Sequence, residues 1–186
     1  MTTSVSELII EAGHKARAAS RRMAAASTAD KNKALLRLAE LLEAKKEDIF
    51  AANEQDLVRA KKNGLKESFV DRLRVTEKVL RLMAEGARQT AALPDPVGEI
   101  SEMRRRPSGI QVGRMRVPLG VLGIIYESRP NVTVDAACLA VKSGNACILR
   151  GGSEAFETNR ILGELVQQAL TETGLPTEAV QIAPTT

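Results

Sequence analysis

The chain has 186 residues, of which 44% are hydrophobic, so it can bury the core of one domain or slightly more. Its net charge of +4 makes nucleic acid a partner to consider, but one tyrosine, three phenylalanines and no tryptophan offer little to stack on bases. We therefore expect no nucleic-acid partner. Residues 1–26 lack the apolar centre of a secretory signal, and no apolar run is long enough to cross a bilayer. These features predict a cytoplasmic protein without a membrane segment.

Apolar residues recur at helical spacing in five segments of the first half of the chain. The segments are residues 4–26, a second one that is capped by Thr28, 46–62, 65–73 and 76–92. The only histidine, His14, lies on the flank of the first segment, and without a second histidine we predict no metal site. Asp56 and Arg59 are interpreted as part of a solvated helix face. Pro94-Asp95-Pro96 then ends the helical part.

A two-stranded ribbon is predicted next. Residues 99–105 and 110–116 are strand-like and flank Pro107-Ser108-Gly109, which has turn chemistry. Arg104-Arg105-Arg106 makes this ribbon basic. Because two strands alone are not stable in water, we expect the ribbon to pack against another subunit or a distant part of the chain.

The central stretch, residues 117–154, predicts a β-α-β unit. Residues 117–126 form a nearly continuous apolar run, typical of a strand that is buried on both faces of a parallel sheet. A turn at 127–131 leads to a helix at 132–142 that is closed by Gly144, and a second strand follows at 146–149. Ligands of such units bind outside the carboxyl ends of the strands, so the site is expected at 127–131 and 150–154.

The remaining residues extend the same pattern. A helix at 154–173 and a strand at 180–183 complete three parallel strands with two crossover helices. The predicted fold is therefore α/β, with a helical N-terminal segment, the ribbon and half of a doubly wound parallel sheet. Because the last strand would leave an unpaired edge, we expect the chain to be cut short rather than complete.

Few common catalytic sets are possible in this sequence. One histidine allows no obvious Ser-His-Asp arrangement, and no phosphate-binding glycine motif follows a strand. Arg150-Gly151-Gly152-Ser153-Glu154 could bind a phosphate with its cation and ribose hydroxyls with its carboxylate, or it could be a plain strand-to-helix turn. The amide of Asn131 could stabilise an oxyanion or merely cap the following helix.

The stretch VPLGVLGIIYESRPNVTVDAACLAVKSGNACILRGGSE resembles the cofactor-domain core of the gamma-glutamyl phosphate reductases, which belong to the aldehyde dehydrogenase superfamily. The resemblance covers nearly the whole chain. It implies NADPH-dependent reduction of L-glutamate 5-phosphate to L-glutamate 5-semialdehyde with release of phosphate, the second step of proline biosynthesis. It also implies a homo-oligomer in the full-length form and a possible association with glutamate 5-kinase.

The resemblance also implies roles for particular residues. Asn131 matches the position that stabilises the oxyanion. The cofactor-binding positions are Glu127, Ser128, Arg129, Pro130, Arg150, Gly151, Gly152 and Glu154. Among these, the cation of Arg150 suits a 2′-phosphate and Glu154 suits a ribose, whereas residues 127–130 should line the nicotinamide side.

The resemblance further implies a division of the chain into three parts. Residues 1–98 correspond to the helical part of the cofactor domain, 99–116 to the ribbon of the oligomerisation region, and 117–186 to an incomplete NADPH-binding core. The family's nucleophilic cysteine lies downstream of the matched residues, in a catalytic domain that this chain lacks. We assign Cys138 and Cys147 to packing, so this chain is expected to lack turnover. The alternative is a non-catalytic interaction module that uses the basic ribbon.

Overall fold

The computed structural model describes residues 4–183, which form seven α-helices and five β-strands and confirm the predicted α/β class. The helices are α1 (Val5–Ala24), α2 (Thr28–Ala44), α3 (Lys46–Lys62), α4 (Glu67–Leu73), α5 (Glu77–Ala92), α6 (Pro130–Lys142) and α7 (Phe156–Glu172). The strands are β1 (Ile100–Arg105), β2 (Gln111–Met115), β3 (Val121–Ile125), β4 (Ala146–Arg150) and β5 (Val180–Ile182). Residues 1–3 and 184–186, at the ends of the first and last predicted parts, lie outside the described residues.

Local chemistry sets several of the helix boundaries. Ser4 and Glu7 form a reciprocal capping box at the start of α1, with the Ser4 N–H donating to the Glu7 carboxylate at 2.7 Å. Ser27 rather than the predicted Thr28 caps α2, because the Ser27 hydroxyl accepts from the Asp30 N–H at 3.1 Å and Thr28 is already the first residue of the helix. Gly144 follows α6 with φ +71°, a conformation that favours glycine, as its predicted closing role requires.

The three-stranded sheet has the order β3-β4-β5, and both pairs are parallel. Helices α6 and α7 are the two crossovers, so the predicted half of a doubly wound sheet is confirmed. Strand β3 begins at Val121 rather than at the predicted residue 117, because Pro118 and Gly120 precede it and Gly120 has φ +108°. Neither a proline nor a residue in that conformation continues a strand easily.

Helices cover the sheet on two sides. On β5, the Gln181 amide donates to the Ala12 carbonyl of α1 at 3.0 Å, whereas the next residue, Ile182, packs against Gly163 of α7. Because neighbouring residues of a strand point to opposite faces, α1 lies on one face and α7 on the other. By the register, Tyr126, just after β3, is on the same face of the sheet as Ile182. Its hydroxyl is hydrogen-bonded to Thr133 of α6, so α6 lies on the same face as α7.

The prediction that the first parallel strand is buried on both faces is wrong for β3. None of its five residues is buried, and Ile125 at its end is 78% exposed. The register pairs Ile125 with Arg150, so both side chains lie on the face that α1 covers only in part. By contrast, the core positions of β4, Ala146, Cys147 and Leu149, are buried.

Strands β1 and β2 pair antiparallel as the predicted ribbon. The register shifts between Ser101 and Arg104, and Glu102 in this bulge has φ +55°. Every residue of both strands is exposed, so within residues 4–183 no distant part of the chain covers the ribbon. Packing against another subunit stays a prediction.

Two buried lysines attach the segment before the ribbon to the helical layer. Lys31 is 1% exposed and pairs with Asp95 at 2.5 Å. The Lys142 ammonium donates to the Asn32 amide oxygen at 2.6 Å and to the Ala91 carbonyl at 2.8 Å. Buried charges persist only when they are paired in this way, so these contacts hold the end of α5 and the following loop in place.

Within residues 4–183, no helix combines the length and the apolar character needed to span a bilayer.

Candidate functional site at the tips of two parallel strands

The carboxyl ends of β3 and β4 leave the sheet side by side. The Tyr126 N–H donates to the Arg150 carbonyl at 3.1 Å, which extends the parallel ladder by one bond beyond the strands. The segments that follow, residues 127–131 and 150–154, therefore start next to each other, as the sequence predicts.

A hydrogen bond joins the two segments directly. The Ser128 hydroxyl donates to a Glu154 carboxylate oxygen. This bond, together with further hydrogen bonds near the start of α7, lowers the pKa of Glu154, so the side chain is ionised near neutral pH and acts only as an acceptor. An ionised carboxylate at this position suits the binding of vicinal hydroxyl groups.

The two glycines after β4 are required by the chain's own packing. A Cβ on Gly151 would collide with the Asn159 amide, and a Cβ on Gly152 would collide with the Ser128 hydroxyl. The glycines thus allow the two segments to approach each other, whereas their sequence position alone indicated the approach of a ligand.

A chain of buried polar groups holds this corner to α6 and α7. The Thr133 hydroxyl donates to the Asn159 amide oxygen at 2.8 Å, so its single hydrogen is used there. The Tyr126 hydroxyl, 2.7 Å from the Thr133 oxygen, is therefore the donor in that contact. Burial raises the pKa of Tyr126, which keeps the phenol protonated for this role.

A cleft of about 630 Å³ opens beside the strand tips. Four of the predicted cofactor-binding residues line it, namely Glu127, Ser128, Gly152 and Glu154. The opposite wall comes from the segment between α3 and α4 and from α4 itself. Its lining residues are Asn63, Gly64, Leu65, Lys66, Phe69 and Arg72. No sequence pattern had indicated this second wall.

The other predicted residues lie near the cleft without lining it. Arg129 pairs with Glu127 at 3.3 Å, and Pro130 is the buried first residue of α6. Arg150 is exposed on the face that carries Ile125. The helix-capping interpretation of Asn131 is wrong, because α6 begins at Pro130 and leaves Asn131 inside its first turn.

Asn131 donates one amide hydrogen to the Asp135 carboxylate at 3.3 Å. An asparagine amide carries two hydrogens, so this contact leaves the second for another acceptor. The side chain is half-buried at the start of α6. This geometry is compatible with a donor role for Asn131.

The prediction that Asp56 belongs to a solvated helix face is wrong, because the residue is fully buried. Its carboxylate accepts from the Thr158 N–H at 2.8 Å, the Thr158 hydroxyl at 2.7 Å and the Glu157 N–H at 3.2 Å, and it also pairs with Arg59. It therefore caps α7 from another helix. Asn53, one turn earlier in α3, donates to the Thr158 hydroxyl at 3.2 Å.

Both cysteines are buried in the core as predicted. Burial raises the pKa of Cys138 and of Cys147 to about 12. Neither thiol forms a nucleophilic thiolate near neutral pH. Among residues 4–183, no three His, Cys, Asp or Glu side chains are grouped so as to hold a metal ion.

Comparison with known proteins agrees with this architecture. Residues 1–186 match the aldehyde dehydrogenase family. The chain therefore belongs to that family.

Among solved structures, the chain is similar to the gamma-glutamyl phosphate reductase of Thermotoga maritima, with 42% identity and a TM-score of 0.90 over 93% of this chain. The same enzyme from Saccharomyces cerevisiae is 32% identical, with a TM-score of 0.87 over 98% of this chain. An NAD-dependent benzaldehyde dehydrogenase from Corynebacterium glutamicum, at 24% identity and a TM-score of 0.72 over 98% of this chain, shares the fold. This chain spans only 42%, 46% and 36% of the lengths of these three proteins, respectively.

Proposed function

We propose that this chain is the cofactor-binding part of a gamma-glutamyl phosphate reductase. The reaction would be the NADPH-dependent reduction of L-glutamate 5-phosphate to L-glutamate 5-semialdehyde in proline biosynthesis, in the cytoplasm. The observation that carries the proposal is the Ser128–Glu154 bond, which joins the tips of two parallel strands at one wall of a cleft. The similarity to two reductases of that name supports the choice of substrate.

The residues at the cleft fit a nicotinamide dinucleotide. The ionised Glu154 is an acceptor for ribose hydroxyls, and Ser128 holds it in place. The cleft volume of about 630 Å³ is typical of small-molecule sites. Arg150 carries the cation that the resemblance assigns to the 2′-phosphate of NADPH, and it lies just before the cleft-lining Gly152.

When bound, the cofactor supplies a hydride to the substrate. The role of this chain is to bind and orient. We assign residues 127–130 to the nicotinamide side, where the Glu127 carboxylate is held by Arg129 and Arg72 at 3.3 and 3.8 Å. We assign the second amide hydrogen of Asn131 to the substrate oxygen that gains negative charge during the reaction.

This chain alone is proposed to bind the cofactor but not to turn over. Its two thiols are buried and protonated, so neither is a nucleophile for an acyl phosphate. The reaction would then use a cysteine outside this chain. We also propose that the whole protein forms a homo-oligomer and associates with glutamate 5-kinase.

The test is to titrate the purified chain with NADPH by calorimetry and to assay semialdehyde-dependent reduction of NADP by the same sample. We expect binding without turnover, and we expect Glu154→Gln to weaken binding about tenfold because one charged acceptor is lost. Glu164→Gln, an exposed carboxylate of α7, is the matched control. A folded chain that does not bind NADPH, or one that turns over, would refute the proposal.

A second candidate is a non-catalytic interaction module, and the exposed ribbon is the observation that favours it. Ile100, Met103, Ile110 and Met115 are exposed apolar side chains on or beside strands that carry several arginines. This candidate predicts a stable chain that does not bind NADPH but forms oligomers through the ribbon. Light scattering of the native chain and of a Met115→Glu variant, beside the NADPH titration, separates the two functions.

A further inference from the structure

Helix α6 carries a carboxylate, one turn after Asn131, to which the proposed function gives no role. This carboxylate belongs to Asp135, and it accepts a hydrogen bond from the Asn131 amide at 3.3 Å. Asp135 is exposed, and Leu139, one turn further along α6, is 57% exposed, so this side of the helix is open within residues 4–183. The donor assigned to the reacting oxygen and a carboxylate therefore share one accessible helix face.

No cation balances the charge of Asp135. Within residues 4–183 the residue takes part in no ion pair. The neighbouring positions on the same helix face are uncharged, namely Asn131, Val132, Cys138 and Leu139. Partial burial raises the pKa of Asp135, and the hydrogen bond from Asn131 offsets only part of that effect. A carboxylate in this environment is stabilised by a cationic ligand.

The neighbouring helix α5 leaves room at this carboxylate. Gly86 of α5 faces Asp135, and the oxygen Oδ1 lies 3.7 Å from the point where a Cβ on Gly86 would be. An alanine would fit at that distance, and it would stabilise the helix more than a glycine does. The glycine instead leaves Oδ1 of Asp135 uncovered, whereas Oδ2 accepts from the Asn131 amide.

The spacing of the two side chains matches the substrate of the proposed function. In L-glutamate 5-phosphate, the acyl carbon and the carbon that carries the ammonium group are three bonds apart, which is about 4 Å when the chain is extended. A hydrogen bond at each end adds about 3 Å. Residues four apart on a helix are offset by about 6 Å along its axis. One substrate molecule can therefore contact Asn131 with its acyl oxygen and Asp135 with its ammonium group.

We propose that Asp135 binds the α-ammonium group of the substrate and makes the site specific for α-amino acyl compounds over their deaminated analogues. The proposal rests on the proposed function and deepens it, because it uses the oxygen position that is assigned to Asn131. Oδ2 of Asp135 holds the Asn131 amide in place, and Oδ1 accepts from the ammonium group. Partial burial strengthens this charge pair, because water screens it less.

The test compares L-glutamate with glutarate, which lacks only the ammonium group, by NMR titration of the chain. In both ligands a carboxylate oxygen stands in for the reacting acyl oxygen. We expect L-glutamate to bind about tenfold more tightly than glutarate. Asp135→Asn should abolish this preference, because asparagine keeps an acceptor for Asn131 but has no charge. Asp48→Asn, an exposed aspartate in the first turn of α3, is the matched control and should keep the preference.

The outcomes separate this inference from the proposed function. If the chain binds NADPH but binds L-glutamate no better than glutarate, or binds neither, the cofactor site stands and the role of Asp135 is wrong. A preference that persists in Asp135→Asn also refutes that role. If the preference depends on Asp135 but the chain does not bind NADPH, the ammonium contact stands and the proposed function fails. Circular dichroism of each variant confirms that it is folded.

Discussion

Replacing Asp56 with alanine should destabilise the protein strongly, although the residue lies on a helix that looks solvated in sequence. The carboxylate accepts three hydrogen bonds from Glu157 and Thr158 at 2.7 to 3.2 Å and is fully buried. Alanine would remove this cap and leave two buried donors of Thr158, its N–H and its hydroxyl, without their acceptor, and each unsatisfied buried donor costs about 1–3 kcal/mol.

Two further effects limit the expected loss of unfolding free energy to about 3 kcal/mol. Burial raises the pKa of Asp56, so desolvation of the carboxylate already offsets part of what its hydrogen bonds contribute. Arg59 is 41% exposed and returns to water when its partner is removed, so no unpaired buried charge remains. For a chain of this length, about 3 kcal/mol lowers the melting temperature by about 6–12 °C.

Urea unfolding followed by circular dichroism measures this loss, and Glu54→Ala provides the control. Glu54 is an exposed carboxylate on the same helix, so its replacement should change the free energy of unfolding by less than about 0.5 kcal/mol. If Asp56→Ala costs no more than the control, the carboxylate does not cap α7 in solution and the reasoning is wrong.

Three other predictions concern the strand tips and the core. Ser128→Ala should lower the free energy of unfolding above pH 4.5, the ordinary pKa of Glu154. The difference from wild type should shrink as the pH falls through the depressed pKa of Glu154 in the folded state. Urea unfolding at about pH 7 and about pH 3 measures this difference, and a difference that does not depend on pH would contradict the role of the Ser128–Glu154 bond. Gly152→Ala should cost less stability in the Ser128→Ala background than in wild type, because its Cβ then meets a methyl group at about 3 Å instead of colliding with the Ser128 hydroxyl. A double-mutant cycle that shows no coupling energy would argue against the close approach of Gly152 to Ser128. Cys138 and Cys147 should react with a thiol reagent only after unfolding in guanidinium chloride, since burial raises the pKa of both to about 12; rapid labelling of the native chain would contradict their burial.

The parts of the fold that could be predicted are those that local chemistry determines. Helix α6 is confirmed because its apolar spacing and Gly144 are encoded within a few residues. The parallel pairing of β3 and β4 followed from a strand, helix and strand in succession, which leaves few topologies. The burial of β3 was predicted wrongly, because an apolar run does not say how many neighbouring elements cover it.

Only part of the candidate site could be predicted, because some of its contacts join residues that are far apart in sequence. Ser128, Gly152 and Glu154 follow strand ends, and position along the chain is enough to bring them together. Asp56 acts on Thr158, 102 residues away, so no local pattern could distinguish it from a surface carboxylate. The cleft wall at residues 63–72 was missed because the contact between α4 and the strand tips is also distant in sequence.

The start of α7 is fixed from two independent directions, and this explains how the strand tips are held together. On one side, Asp56 binds the N–H groups of Glu157 and Thr158. On the other, Tyr126 and Thr133 hold Asn159, which packs where a side chain on Gly151 would lie. The segment that carries Glu154 is therefore immobilised before any ligand arrives. Binding then costs little conformational entropy, so substitutions in either anchor should weaken cofactor binding even though none of these side chains lines the cleft.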